Sequence, residues 1–213
     1  MVGPHLPYAE LYPYIDSIWY GEQCNYAAYT PEQWLAEVSG VPFGLPGQVL
    51  GDNAEQWQAL VFGMTCRIYP DPHRCNPRPL WAALDALGLQ SPRMIGWWEG
   101  DTPLTVANVV VGGGGRSAMT SAPVRATLFV DPTRKSFAIA VANWAPHAVT
   151  FTLSFDWTAL RALGFPPASS ARLSAPAIPG FQPAATWQTG AQISVRGKRS
   201  GFNEGWLIRL HAD

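Results

Sequence analysis

The chain of 213 residues is long enough for one or two domains, and its hydrophobic content of 47% is enough for a sizeable core. The formal net charge of -1 offers no basic surplus for binding nucleic acid or an anionic membrane surface. No stretch approaches the ~20 apolar residues of a membrane span, and no signal peptide is visible at the N-terminus. These features predict a soluble protein and leave its compartment unknown.

The first hundred residues predict strands that alternate with helices. The run "PYIDSIWY" is typical of a buried strand, and "TPEQWLAEVSG" predicts a helix with Thr30 as N-cap, Pro31 in the first position and Gln33 in a capping box. The stretch "VPFGLPGQVLGDN", rich in Gly and Pro, predicts a long irregular loop. Further helices are predicted in "AEQWQAL" and in "LWAALDALG", which Gly88 ends, and further strands in "VFGMTCRIY" and "RMIGWW". This β-α-β-α-β order indicates a parallel sheet within residues 1–100.

The second half of the chain has a different sequence pattern, with predicted strands that follow one another directly. Residues 101–122, which contain "VVVGGGGRSAMTSAP", predict a Gly- and Ser-rich linker. After it, "VRATLFVD" and "SFAIAVANW" are joined by "PTRK", which indicates a hairpin, and "AVTFTLSFD" alternates between apolar and polar residues. The segments "ARLSAPAI", "AQISVRG" and "GWLIRLH" bring the total to about six strands, beside one short helix, "WTALRALG". Residues 123–213 therefore predict an antiparallel β-sandwich.

Two carboxylates, Asp16 and Glu22, flank the aromatic residues Trp19 and Tyr20 near the carboxyl end of the first predicted strand. In α/β barrels that end of the strands carries the active site, and glycosidases usually need two carboxyl groups. Aromatic rings can stack on the apolar face of a sugar. This pattern predicts a sugar site with Asp16 and Glu22 as catalytic candidates and Trp19 and Tyr20 as substrate-binding residues. The alternative is that Asp16 is a satisfied buried polar group and Glu22 is solvated.

Arg67 ends the next predicted strand, "MTCRIY", where it could clamp a substrate carboxylate or form a structural ion pair with Asp16. Cys66, His73 and Cys75 lie close together in the sequence, but their spacing fits no standard zinc pattern. A Cys66–Cys75 bridge is the alternative, although three cysteines are not a disulfide framework. No serine-hydrolase, phosphate-loop or zinc-protease motif occurs, so we predict neither a metal nor a cofactor.

Five segments occur in a characteristic order: "YIDSIWYGEQCNY", "WLAEVSGVPFGLPGQVL", "LVFGMTCRIY", "NPRPLW" and "MIGWW". They resemble the closing part of the catalytic barrel in proteins similar to glycoside hydrolase family 123, and the second half resembles that group's C-terminal β-sandwich. The resemblance covers most of the chain, and "DSIWYGE" and "SGVPFG" are its most specific parts. It implies an α/β plus all-β protein, with the C-terminal portion of a (β/α)8 TIM-type barrel followed by an antiparallel β-sandwich. A complete barrel takes ~250 residues, so about 100 residues supply three or four of its eight units.

The resemblance also implies a chemistry. In family 123 proper the substrate is a β-linked N-acetylgalactosaminide, whose acetamido oxygen attacks the anomeric carbon with help from an adjacent Asp-Glu pair. This sequence contains no Asp-Glu dipeptide, so the catalytic acid carries over onto no position here, and we expect the pair upstream of Met1. The resemblance carries over a share of the sugar pocket wall: Asp16, Trp19, Tyr20, Glu22, Tyr26 and Arg67.

We therefore predict a fragment or truncated relative of a glycoside hydrolase, inactive alone, with a carbohydrate as its ligand. One alternative is a non-catalytic carbohydrate-binding or scaffold protein. Another is a purely structural domain in which all ten tryptophans belong to the core. A parallel sheet of three strands leaves both of its edges open, so self-association through those edges is a further expectation.

Overall fold

A computed structural model of the chain describes residues 13–14, 18–20, 25–41, 47–49, 55–68, 76–89, 92–109, 122–167, 170–197 and 204–212. Three short strands in the first part form a parallel sheet in chain order: β1 (Ile18–Tyr20), β2 (Gly47–Val49) and β3 (Thr65–Cys66). The described helical segments of this part are a 3-10 turn (Tyr26–Ala28), α1 (Pro31–Gln33, continuing as a π-helical turn over Trp34–Val38), α2 (Gln56–Val61) and α3 (Arg78–Ala86). The predicted parallel arrangement is confirmed for β1 and β3, but β2, which pairs with both of them, was not predicted as a strand.

Local signals set the start of α1 and the end of α3. The Thr30 hydroxyl accepts a hydrogen bond from the Gln33 N–H at 3.2 Å, and the Gln33 side chain accepts one from the Thr30 N–H at 2.9 Å. Pro31 occupies the first helical position, where its missing N–H costs nothing. Helix α3 ends just before Gly88, whose φ of 74° lies in the left-handed region that glycine tolerates best. The predicted capping box and helix stop are confirmed.

The second part of the described chain is antiparallel. Nine strands are described there: β4 (Arg93–Ile95), β5 (Leu104–Val109), β6 (Val124–Asp131), β7 (Ser136–Asn143), β8 (Val149–Phe155), β9 (Ala171–Ala175), β10 (Ala185–Gln188), β11 (Gln192–Val195) and β12 (Gly205–Ala212). Six form a sheet in the order β10-β9-β12-β7-β6-β4, and three form a second sheet in the order β11-β8-β5. Helix α4 (Trp157–Ala162) follows β8, with Asp156 as its N-cap. The predicted hairpin of β6 and β7 is confirmed.

Four strands differ from the prediction. Strand β2 lies within "VPFGLPGQVLGDN", which was predicted to be an irregular loop. Strand β4 was expected to extend the parallel sheet, but it pairs antiparallel with β6, with Arg93 opposite Val130. Residues 104–109 were assigned to the linker of residues 101–122, but they form β5, which pairs with β8. Strand β10 was not predicted at all. A short apolar run of sequence does not determine which strand it pairs with, so tertiary packing decides which sheet it joins.

Strand β7 is buried along its whole length, and its two faces belong to different hydrophobic clusters. Its bulky residues Phe137, Ile139 and Val141 share one cluster with residues of the three-stranded antiparallel sheet, such as Phe151 and Ile193. Its alternate residues are alanines that share the other cluster with the first part of the chain: Ala138, Ala140 and Ala142. Successive strand side chains point to opposite faces, so this alternation covers the six-stranded sheet on both sides.

Helix α2 is the element that covers the alanine face of β7. Its residues Trp57, Leu60 and Val61 lie in the same cluster as the alanines. The Gln58 side chain donates a hydrogen bond to the Asn143 carbonyl oxygen at 2.8 Å, which joins α2 to the end of β7. No helix within the described ranges is long and apolar enough to cross a membrane.

Close packing at β12 yields a stability prediction. A Cβ atom added at Gly205 would overlap the Val141 carbonyl oxygen and the Trp57 side chain, whereas one added at Gly100 would meet nothing within 4 Å. We expect Gly205→Ala to lower the free energy of unfolding by about 1–3 kcal/mol, because the backbone oxygen cannot move away freely. Gly100→Ala is the matched control, with an expected change under about 0.5 kcal/mol. Urea unfolding measures both, and equal midpoints for the two variants would contradict the close contact.

Candidate functional site

The carboxyl ends of the three parallel strands form one edge. Tyr20 lies opposite Val49, and Val49 lies opposite Cys66, so the strands end in register. The Arg67 N–H then donates a hydrogen bond to the Val49 carbonyl oxygen at 3.2 Å, which continues the ladder by one residue. The backbone of Trp19 therefore lies in the same sheet, two strands away from Arg67. We call this row the carboxyl edge.

The predicted site residues are described to different extents. Asp16 and Glu22 lie outside the described residues, and only the backbone is described for Trp19 and Tyr20. Arg67 has an exposed side chain at the carboxyl edge and makes a further interaction. The structure thus brings the backbone of the β1 candidates and Arg67 to one edge, while the assignment of roles stays a prediction.

Glu55 is a residue of this edge that the sequence analysis missed. It lies directly before α2 with a φ of 68°, and its side chain is only 7% exposed. The next residue, Gln56, accepts a hydrogen bond from the Cys66 N–H at 3.2 Å, which places this turn at the end of β3. A glutamate in the left-handed region is strained, and such strain clusters at functional sites. No local signal revealed it, because Glu is a good helix former and "AEQWQAL" favours a helix that includes it.

Cys66 is fully buried at the end of β3 and is disulfide-bonded. The other half of the pair lies outside the described residues, so the predicted Cys66–Cys75 pairing stays a prediction. A sulfur in a disulfide is not a thiolate, and the zinc site considered with Cys66, His73 and Cys75 therefore loses one of its three ligands. Within the described ranges no group of three His, Cys, Asp or Glu side chains is placed to hold a metal ion.

Tyr26 is the first in a series of aromatic rings in contact, which runs through the hydrophobic cluster that contains the alanines of β7. It is 6% exposed, and its ring centroid lies 5.4 Å from that of Trp34. Trp34 stacks on Phe62, and Phe62 stacks on Trp98 at 5.4 Å. Trp98 meets Trp97 edge to face at 5.8 Å. The described contacts of Tyr26 are those of a core residue, and its assignment to a sugar pocket wall stays a prediction.

The guanidinium of Arg125 lies against the last ring of this series. The Arg125 guanidinium lies 4.4 Å from the ring centroid of Trp97 and pairs with the Glu32 carboxylate at 2.9 Å. Arg125 belongs to β6 and Glu32 to α1, so the pair connects the two parts of the chain. Burial by itself would raise the pKa of Glu32, but a backbone hydrogen bond together with hydrogen bonds from Arg125 and Thr30 lowers it below 4.5. The side chain of Arg125 is 15% exposed and that of Glu32 is 50% exposed, so solvent screens much of the attraction.

Two family models match the chain, and together they cover most of it. The model described as "Glycoside hydrolase 123, TIM-barrel domain" matches residues 1–69, which contain β1 to β3 with α1 and α2. The model described as "Glycoside hydrolase 123, C-terminal domain" matches residues 76–211, from α3 into β12. No curated protein and no solved structure matches the chain.

The Glu32–Arg125 pair predicts a pH-dependent stability difference. Because the folded-state pKa of Glu32 is lowered, its contribution is present above the unfolded-state value and is lost as the pH falls through the folded value. Glu32→Gln should lower the free energy of unfolding near neutral pH by up to about 1 kcal/mol. The difference from the unmodified protein should shrink as the pH falls below 4.5.

Urea unfolding at neutral pH and at about pH 3 measures this difference. Glu37→Gln is the matched control, because Glu37 is partly exposed on the same helical segment. It should change the free energy of unfolding by less than about 0.5 kcal/mol, because Glu37 is in none of the ion pairs found in the described part of the chain. A deficit of Glu32→Gln that stays constant across this pH range would mean that the carboxylate charge plays no part in the pair.

Proposed function

Because the chain belongs to the glycoside hydrolase 123 family, we propose that it carries part of the carbohydrate-binding wall of a glycoside hydrolase that acts on N-acetylhexosaminides. The observation that carries this proposal is the parallel register of β1, β2 and β3, which aligns their carboxyl ends in one row. In (β/α)8 barrels this end of the strands holds the active site. The carboxyl edge is therefore the surface on which we place the sugar.

The proposed fold follows from the same family membership. We propose that β1 to β3 are successive strands of a (β/α)8 barrel and that the two antiparallel sheets form a β-sandwich. The hydrophobic cluster shared by those two sheets supports the sandwich. The pairing of β4 with β6 and of β5 with β8 supports a domain boundary before β4 rather than near residue 100. The second family match, which begins at residue 76, supports placing that boundary before α3.

Each candidate receives a role that suits its chemistry. Trp19 and Tyr20 provide the apolar surface for the ring face of the sugar. Asp16 and Glu22 accept hydrogen bonds from its hydroxyl groups. Arg67 donates to the acetamido carbonyl oxygen, because a guanidinium carries several donors in a fixed fork and accepts none.

Two further residues hold the backbone near the carboxyl edge in place. Glu55 is a positioning residue, because its buried turn leads into Gln56, which fixes the end of β3 through the Cys66 N–H. Tyr26 holds the segment after β1 against Trp34, both by its ring and by its carbonyl oxygen, which accepts a bond from the Trp34 indole at 3.3 Å.

A second candidate function is a carbohydrate-binding protein without catalysis. The absence of an Asp-Glu dipeptide from this sequence favours it, because the family's chemistry uses such a pair. Under either candidate we propose that this chain binds carbohydrate and does not hydrolyse it. We also propose that β1 and β3, the outer strands of the parallel sheet, associate with a further strand, since open edges invite pairing.

Binding of N-acetylgalactosamine tests the proposed wall. We expect Arg67→Gln to weaken binding about tenfold, which is the loss of one hydrogen bond to a charged group. Arg93→Gln is the matched control, because Arg93 is exposed on β4, away from the carboxyl edge, and makes the same change of charge. Calorimetric titration of the three proteins measures the effect. Equal affinities for the two variants would remove Arg67 from the site, and no binding to the unmodified chain would favour a structural role.

A cyclic thiazoline analogue of the sugar separates the two candidate functions. It mimics the ring formed when the acetamido oxygen attacks, and a wall built for that chemistry should bind it more tightly than the sugar itself. A wall built for binding alone should show no such preference. Release of nitrophenol from a nitrophenyl N-acetyl-β-galactosaminide by the purified chain would contradict both.

A further inference from the structure

A cleft lies beside α4, in the second part of the chain. Its volume is ≈ 310 Å³, and Trp157, Arg161, Phe165, Ser170 and Thr189 contribute to its lining. They come from α4, from the segment that follows it, from the approach to β9 and from the turn between β10 and β11. The described lining residues all lie between residues 157 and 189, in a different part of the chain from the carboxyl edge.

One wall of the cleft is aromatic and held in place. Trp157 is partly exposed, and its ring centroid lies 5.3 Å from that of Phe155 and 5.9 Å from that of Phe165. Phe165 is buried and meets Phe137 of β7 edge to face at 5.1 Å. These contacts anchor the tryptophan in the core cluster while part of it faces the cleft. An aromatic surface fixed in advance loses little conformational entropy when a ligand stacks on it.

The described polar residues of the lining include one cation, Arg161, and no anion. Arg161 is exposed in the last turn of α4, and none of the ion pairs in the described part of the chain includes it. Among the described residues that line the cleft there is no aspartate or glutamate, and Ser170 and Thr189 add hydroxyl groups. The nearby Asp156 caps α4 through the N–H groups of Thr158 and Ala159, so its carboxylate is engaged there. The charge of the lining is therefore positive.

We propose that this cleft binds a single anionic sugar unit. Trp157 packs against the apolar face of the ring, and Arg161 forms two parallel hydrogen bonds with a carboxylate or sulfate group on it. The hydroxyls of Thr189 and Ser170 bond to the sugar hydroxyls. Ligand sites commonly measure about 300–1,000 Å³, so this cleft suits one sugar ring better than a longer chain. The choice of a sugar as the carrier of the anion rests on the proposed function, whereas the choice of an anion rests on the lining alone.

The experiment is a titration of the full chain with glucuronic acid and with galactose 6-sulfate, followed by the indole N–H signals in NMR spectra. The signal of Trp157 is identified as the one missing from Trp157→Phe, which keeps an aromatic ring against Phe155 and Phe165. Glucose and inorganic sulfate are titrated as the neutral and the sugar-free probes. We expect both acidic sugars to shift the Trp157 signal and to bind at least about tenfold more tightly than glucose or sulfate.

Variants of Arg161 test whether its guanidinium binds the anion. Arg161→Gln should weaken binding of glucuronic acid about tenfold. The affinity of Arg161→Lys should lie between those of the unmodified chain and Arg161→Gln, because lysine keeps the positive charge but cannot form two parallel hydrogen bonds. Arg161 is exposed, so neither change should disturb folding. Arg93→Gln, the matched control, should leave the affinity unchanged.

Three results would overturn the proposal. They are a Trp157 signal that no acidic sugar shifts, glucose binding as tightly as glucuronic acid, and Arg161→Gln binding as tightly as the unmodified chain. Inorganic sulfate that binds as tightly as galactose 6-sulfate would overturn the sugar assignment. Arg67→Gln should leave this titration unchanged, so a failure at the carboxyl edge is distinguishable from a failure here.

Discussion

The burial of strand β7 on both faces is the constraint on which the rest of the molecule depends. Phe137, Ile139 and Val141 fill the cluster that the two antiparallel sheets share. Burying side chains of this kind stabilises a fold by ~1.5–3 kcal/mol each. The alternate positions are alanines, and their small side chains let a helix pack closely against the strand. Each part of the chain therefore covers apolar surface that the other would otherwise expose.

This constraint also determines where the carboxyl edge lies. Helix α2 packs on the alanine face, and the turn at its start contains Glu55 and Gln56. Gln56 binds the Cys66 N–H, so the end of β3 is tied to a helix that is itself tied to β7. A second connection runs through the series of aromatic rings to Arg125, which lies on the strand next to β7. The position of the candidate sugar wall thus depends on packing made far from it in the sequence.

Local chemistry explains which features could be predicted from the sequence. The capping box of Thr30 and Gln33, the stop at Gly88 and the hairpin of β6 and β7 each depend on residues close together in the chain. The partner of β4, the strand within the predicted linker and the positive φ of Glu55 depend on tertiary packing, which a single sequence does not reveal. For the candidate site, the sequence predicted that Tyr20 and Arg67 lie near the ends of two strands of one parallel sheet, but it did not predict β2 between those strands. It did not reveal that Tyr26 packs in the core.

Native-state hydrogen exchange tests most directly whether α2 and β7 open as one unit. The Ala59 amide of α2 donates to the Glu55 carbonyl oxygen at 2.8 Å, and the amides of Ile139 and Ala140 lie in the buried strand. If the packing of α2 on β7 holds the two parts together, these amides should exchange with the same free energy of opening, equal to that of global unfolding. Exchange of Ala59 with a much smaller free energy than Ile139 would show that α2 opens independently, and it would contradict the account of how the carboxyl edge is held.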